Sequence, residues 1–327
     1  MLAVGDKGAI AGFTVELVEA DDLCSGPGSE TAAEQLISEG VVAIHGPMCS
    51  GGTVAALDNY AAAGLFALSG SASASNVSEQ GAENFARTAW NDKTQGAEMA
   101  KYVYETIGAT NATLVDDQST YGKGLMDNFQ AAYEALGGTI NGRQAVTVGE
   151  QDFSAVVTSI GTDPAIVVFG GFIAEGAALV RQLRDAGYTG EFMGADGIAD
   201  ARFVELAGDA SENAYISRGP QSEPNGKEAL LAQYHEEYGA DAGEQFVDFS
   251  YDAMTIILNA IEEVGVVNAD GDMEINLAEL NAAIKGATLE GGATGTIRFL
   301  ENGDRDIAAG AVNQIDQVKD GAFTRLQ

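Results

Sequence analysis

Short apolar runs and helical-period segments take turns along most of this chain, with roughly 25 to 30 residues from one run to the next. "FTVELVEADD" (13–22) alternates with period two and predicts a strand. "SETAAEQLISEG" (29–40) has a helical period and stops at a glycine. "VVAIHG" (41–46) predicts a strand, "TVAALDNYAAAG" (53–64) a helix, and "LFALSG" (65–70) another strand. The rhythm resumes with helices at 99–108, 124–138, 153–161 and 175–187, and strands at 112–117, 165–171 and 191–197. Repeated switching between the two periods is the mark of βαβ units, hence of parallel sheets covered by helices. After Gly197 helices dominate (228–239, 251–265, 277–286), and a strand-rich tail follows at 295–315. A chain of 327 residues built this way predicts a two-lobed α/β protein.

The formal net charge is −33, from 49 acidic and 16 basic residues. Nucleic acid and anionic membrane surfaces are poor partners for such a chain, because affinity there comes from Lys and Arg. The charge suits a solvated acidic surface. No apolar stretch approaches the ~20 residues needed to span a bilayer. "MLAVGDKGAIAGF" has neither the basic start nor the long apolar core of a secretion signal. Cys24 and Cys49 are the whole thiol inventory, and by themselves they are equally two buried thiols or one disulfide.

In open parallel sheets, ligands sit beyond the carboxyl ends of strands, beside helix N-termini. The predicted strands deliver there Cys49, Ser50, Gly51 and Gly52; then "SGSASASN" (69–76); "DDQSTYGKG" (116–124); "GGFIAEG" (170–176); and Asp196 with Gly197. Catalysis finds little to work with. Ser50 lies between Met48 and Gly52 and so makes no G-x-S-x-G elbow. His45 ends a strand and could act as a base, while His235 sits in a charged helix and is expected to face solvent. "NADGDMEIN" (268–276) has Met273 where a calcium loop needs glycine, which leaves a polar turn between helices. "GGFIAEG" fails G-x-G-x-x-G, and there is no P-loop or metal-ligand spacing. We therefore expect no enzyme, no metal and no cofactor. Binding finds more. Ser50–Thr53 and Ser71–Asn76 each offer N–H groups and hydroxyls to an anion, Asp196 can hold a cation, and Tyr121 and Phe172 supply apolar walls. A free amino acid requires one anion site and one cation site.

Seven segments in order, "VELVEADDLC", "GPMCSGGT", "RTAWNDKTQG", "DDQSTYGKGL", "EQDFSAVVTSI", "FMGADG" and "YDA", resemble the periplasmic solute-binding proteins of branched-chain amino-acid ABC transporters, the leucine/isoleucine/valine-binding family. The resemblance implies that Ser50 binds a ligand α-carboxylate and that Ala72 and Ser73 complete the cradle. It implies that Tyr121 contacts the ligand from the second lobe, that Asp196 binds the α-ammonium and that Phe172 lines the cleft. At 196, where the family carries Asp or Glu, this chain has Asp, and Phe stands at 172 where tyrosine is common. Met48 and Trp90 join Phe172 as expected side-chain walls. It also implies a Cys24–Cys49 disulfide, an oxidising periplasmic or extracellular setting, ABC permease subunits as partners and a monomer.

The family's chain crosses between lobes three times. Lobe one is then expected at 1–92 plus 219–302 and lobe two at 93–218 plus 303–327, closing on the solute. An amide-, urea- or amino-acid-sensing receptor domain on the same fold is the alternative reading. A hydrolase or dehydrogenase is a third, disfavoured by the missing nucleophile–base pair and nucleotide fingerprint. In the family a strand, a glycine-bearing loop and most of a helix precede the segment matching 3–18. The resemblance thus implies an N-terminally truncated chain whose strands at 13–18 and 41–45 face a gap, with low stability and weak binding as written, and an export signal outside it.

Overall fold

A computed structural model describes residues 1–220, 227–239, 242–307 and 313–327. The chain divides into two units, Met1–Trp90 with Ser222–Ala308 and Asn91–Gln221 with Ala309–Gln327.

The first unit opens with a short helix, Leu2–Lys7, and then α1, Gly26–Ser38. The start of α1 is set locally. Ser25 Oγ accepts from the Gly28 N–H at 3.1 Å and Pro27 occupies the first turn, where a missing N–H costs nothing. Next come β1 (Ile44–His45), α2 (Ser50–Ala62), β2 (Ala67–Ser69) and β3 (Phe85–Arg87). These strands pair in parallel in the order β1-β2-β3, with Ile44 opposite Ala67 and Ala67 opposite Phe85. The helix Val247–Val264 buries Ala253, Ile256, Ile257 and Ile261 with Phe66, Leu68 and Ala86, in one apolar core. α1 packs on α2 at Gly52, where a Cβ would stand 2.2 Å from Ser29 Oγ. That close approach accounts for one glycine of the pair after Ser50.

The second unit holds α3 (Asp92–Lys101), β4 (Asn111–Asp116), α4 (Thr120–Ala135), β5 (Thr139–Ala145), β6 (Ile166–Gly170), α5 (Ile173–Asp185), β7 (Glu191–Gly194) and β8 (Tyr215–Pro220), and later β9 (Asn313–Lys319) and β10 (Ala322–Arg325). Its seven-stranded sheet runs β10-β9-β8-β7-β6-β4-β5, parallel from β8 to β5, with β9 antiparallel to both β8 and β10. β6 reads Ile-Val-Val-Phe-Gly and is wholly buried, as a central parallel strand covered on both faces must be.

One expected strand is absent. Residues 14–22 are extended in sequence pattern but belong to no strand. A period-two pattern fits a half-buried surface, but a strand also needs a lateral neighbour for its main-chain groups. The hydrogen bonds of 14–21 include no main-chain pairing among the described residues. Between 13–20 and 39–45 lies a cavity of about 660 Å³, walled also by Met254, Ile257 and Ile261. β1 is the edge of its sheet on that side. The polar turn at 268–276 is the tip of a hairpin: Val266–Val267 pairs antiparallel with Met273–Glu274, and Asn268 Oδ1 accepts from the N–H of Asp270 and of Asp272. In the strand-rich tail, residues 308–312 lie outside the described residues.

Candidate functional site

In the first unit, two strand-end loops are stitched together. Ser50 opens α2, and its Oγ accepts from the Ala74 N–H at 3.1 Å. Ser69 Oγ donates to the Pro47 carbonyl at 2.7 Å and accepts from the Ala72 N–H at 3.0 Å. Ser71 Oγ donates to the Met48 carbonyl at 2.8 Å. Beneath them sits Arg87, fully buried at the end of β3. Its guanidinium donates to the carbonyls of Ala72 (2.8 Å) and Ala74 (2.9 Å), to Ser78 Oγ (2.8 Å) and to Asp304 Oδ1. A buried cation with a carboxylate partner and every donor engaged makes a rigid anchor for 72–74.

What this leaves over is a set of donors. The hydroxyls of Ser50 and Ser73 donate to no group among the described residues, and neither does the Ser73 N–H. The N–H groups of the first turn of α2 likewise lack intrahelical acceptors, as at any helix start. Ser50, Ala72 and Ser73 are all buried. Ala72 differs from its expected role, since its N–H is already taken by Ser69 and its carbonyl by Arg87. Of the expected walls, Met48 is exposed, while Trp90 is buried, stacked on Phe246 at 5.3 Å and edge-on to Phe249 at 5.3 Å. Cys24 and Cys49 are joined by a disulfide, Cα to Cα 5.3 Å, which ties the loop before α1 to the N-cap of α2.

In the second unit, three residues meet. The Tyr121 hydroxyl, on α4, donates to Asp196 Oδ1 at 2.9 Å and accepts from the Gly197 N–H at 3.0 Å. Phe172 lies beside Tyr121, ring centroids 5.5 Å apart. Gly197 permits the approach: a Cβ there would be 2.3 Å from the Gly171 carbonyl oxygen and 2.8 Å from the Tyr121 ring. Asp196 is buried, and burial pushes its carboxyl up to about 6; hydrogen bonds from Gln95, Tyr121 and its own main chain, with the charge of Arg218, pull the other way. Burial also raises Tyr121 well above the usual phenol range, and the charges of Asp196 and Asp92 add to it. Arg218 itself is paired with Asp316 at 2.8 Å.

The sequence reading passed over Ser69, Arg87 and Gln95. Arg87 carried a signal, a lone cation in the otherwise small and apolar run "FARTAW". Gln95 and Ser69 carried none. The histidines lie elsewhere. His45 lines the 660 Å³ cavity, and its side chain is exposed there. His235 does not simply face solvent: its Nε2 pairs with Glu244 at 2.7 Å and its Nδ1 with the Gly239 carbonyl at 3.0 Å, which raises its pKa. No group of three or more His, Cys, Asp or Glu among the described residues is arranged to hold a metal. No helix among the described residues is long and apolar enough to cross a membrane.

Each unit is a mainly parallel sheet flanked by helices, the first carrying an N–H and hydroxyl cluster and the second a buried acid. The chain belongs to the periplasmic binding protein family, whose model matches residues 1–322. It is 30% identical to a Leu/Ile/Val-binding protein homologue of Brucella melitensis, over 92% of this chain and 80% of that protein. Among solved structures it is similar to a leucine-binding protein of Thermotoga maritima, with TM-score 0.87, 27% identity, and 100% of this chain and 91% of that one covered. It is also similar to a branched-chain amino-acid transporter substrate-binding protein of Streptococcus pneumoniae solved with isoleucine, with TM-score 0.83, 25% identity and coverage of 98% and 90%.

Proposed function

We propose that this protein captures a free α-amino acid with an apolar side chain, outside the cytoplasm, and delivers it to an ABC permease. The observation that carries the reading is Asp196. It is a buried carboxylate that takes hydrogen bonds from the neutral side chains of Gln95 and Tyr121 and from its own main chain, with the charge of Arg218, itself paired with Asp316, acting nearby. Such a group needs a cation to stay ionised at low cost, and an α-ammonium would supply it. The unengaged donors of Ser50 and Ser73, with the N-terminus of α2, suit the α-carboxylate. Ala72 contributes shape rather than an N–H. Phe172, Trp90 and Met48 are the walls we assign to the side chain, and the leucine and isoleucine named for the solved relatives favour an apolar one. The two units act as lobes that close on the solute, with the chain working as a monomer that binds and does not catalyse.

Calorimetry against the twenty amino acids, small amides and aromatic acids tests this. We expect micromolar or tighter binding of branched-chain amino acids. Asp196→Ala should weaken binding by about 2 to 5 kcal/mol, because a buried ammonium loses its charged partner. Ser50→Ala should cost less, about 1 to 3 kcal/mol, since helix N–H groups remain. Unchanged affinity in Asp196→Ala, or binding of amides and aromatic acids in place of amino acids, sinks the reading.

A further inference from the structure

We propose that Gln95 is the positioning residue for Asp196, its side-chain amide fixing the orientation in which the carboxylate meets a cationic group of the solute. The inference rests on the amino-acid reading above and adds a residue to it. Gln95 lies in the first turns of α3 and is fully buried. Its Nε2 donates to the Ser217 carbonyl on β8 at 3.3 Å, and its side chain hydrogen-bonds Asp196. A carbonyl can only accept, so Ser217 selects the amide nitrogen and excludes the flipped amide. A glutamine amide nitrogen carries two donors; with one on Ser217, the other remains for Asp196. The residue is held from behind as well. Asn313 Nδ2, on β9, donates to the Gln95 main-chain oxygen at 2.9 Å and to Ser217 Oγ at 3.0 Å. Elements α3, β8 and β9 thus converge on one amide.

The choice of residue type matters. A lysine or arginine at this place would neutralise Asp196 and remove its attraction for a second cation. An aliphatic residue would leave the carboxylate short of a donor and easier to protonate. A neutral donor supports the ionised form and leaves its charge for the solute. The other groups facing Asp196 are the Tyr121 hydroxyl from α4 and Arg218 from β8, and Asp92 on α3 acts on Tyr121. Arg218 is held by Asp316 and by the Ala199 carbonyl and acts on the carboxylate through its charge, while Gln95, Tyr121 and the main chain of Asp196 act on it through hydrogen bonds.

The test uses ligand-free protein labelled with ¹³C at the aspartate carboxyls, titrated by NMR, with Asp196→Asn to assign the resonance. In Gln95→Met we expect the Asp196 midpoint to rise by about one pH unit. Affinity for L-leucine should then fall roughly fivefold near pH 6 and by less than about twofold at pH 8. An unmoved midpoint, or an equal affinity loss at every pH, overturns the proposal and leaves Gln95 a packing residue. If Gln95→Met does not fold, Asn313→Ala reads the same midpoint with the amide still present; a smaller rise supports the proposal and no rise overturns it. Failure of wild-type protein to bind leucine or any other amino acid would sink the amino-acid reading, while the carboxyl titration, which needs no ligand, still decides the role of Gln95.

Discussion

The Tyr121 hydroxyl links Asp196 to the backbone that carries it: it donates to Asp196 Oδ1 at 2.9 Å and accepts from the adjacent Gly197 N–H at 3.0 Å. The acid is therefore held in place before any solute arrives. Such pre-organisation lowers the ordering cost of binding.

That arrangement has a pH signature. Burial raises Asp196 from 3.8 to about 6 in the ligand-free protein. The folded state then binds more protons than the unfolded state between those values. Its contribution to stability is present below the lower value and is lost as pH rises through the upper one. Above pH 6 the ionised acid costs the ligand-free fold about 3 kcal/mol. We expect Asp196→Asn to stabilise the ligand-free protein at pH 8 by up to that amount and to change little at pH 4, as read in urea melts. Binding has the opposite dependence. An ammonium needs the ionised acid, so affinity should fall by up to tenfold per unit as pH drops below 6. Leucine affinity that is level from pH 8 to pH 5 would contradict this.

Arg87 anchors the other half of the candidate site. It is buried, holds the carbonyls of Ala72 and Ala74, and pairs with Asp304. Arg87→Met removes the cation paired with the buried Asp304 and frees both carbonyls. We expect a loss of about 3 to 5 kcal/mol in a denaturant melt. Arg87→Lys should recover little, because an ammonium cannot match the guanidinium fork. Full rescue by lysine would show that charge, not geometry, is what the loop requires.

The disulfide closes a loop with a sequence separation of 25. In the chain-entropy account, removing it destabilises the fold by about 3 to 4 kcal/mol. Cys24→Ser with Cys49→Ser should lower the denaturation midpoint accordingly. Because the bond ties the N-cap of α2, leucine affinity should also drop. A double variant as stable as the parent would show the bond to be dispensable.

Among the described residues, 14–21 make no hydrogen bond to another stretch of main chain, Glu19 O accepting only from the Gln35 side chain, and several of them border the 660 Å³ cavity. Their amides should exchange with deuterium orders of magnitude faster than those of β6, which sits in the middle of its sheet. Equal protection in the two segments would mean that 14–21 is paired in solution.

Local chemistry explains what could be read in advance. The apolar β6 and the period of the helix at 247–264 are properties of neighbouring residues. Such features survive the loss of all tertiary information, and so the α/β class was legible. Ser50, Tyr121 and Asp196 lie just past predicted strands, where parallel sheets put their ligands, and the structure buries all three. β5 escaped notice because an edge strand reading Thr-Ile-Asn-Gly-Arg-Gln-Ala is half exposed and carries no apolar signal. The pattern at 14–22 misled for the converse reason. Alternation records which faces are apolar, but only a neighbouring strand can satisfy the backbone. Ser69, Arg87 and Gln95 depended most on the fold. Arg87 reaches Asp304 across 217 positions and Gln95 reaches Ser217 across 122, and neither partner is implied by nearby sequence. A buried polar group is functional or ruinous according to what the fold brings within hydrogen-bond reach, and that distance exists only in three dimensions.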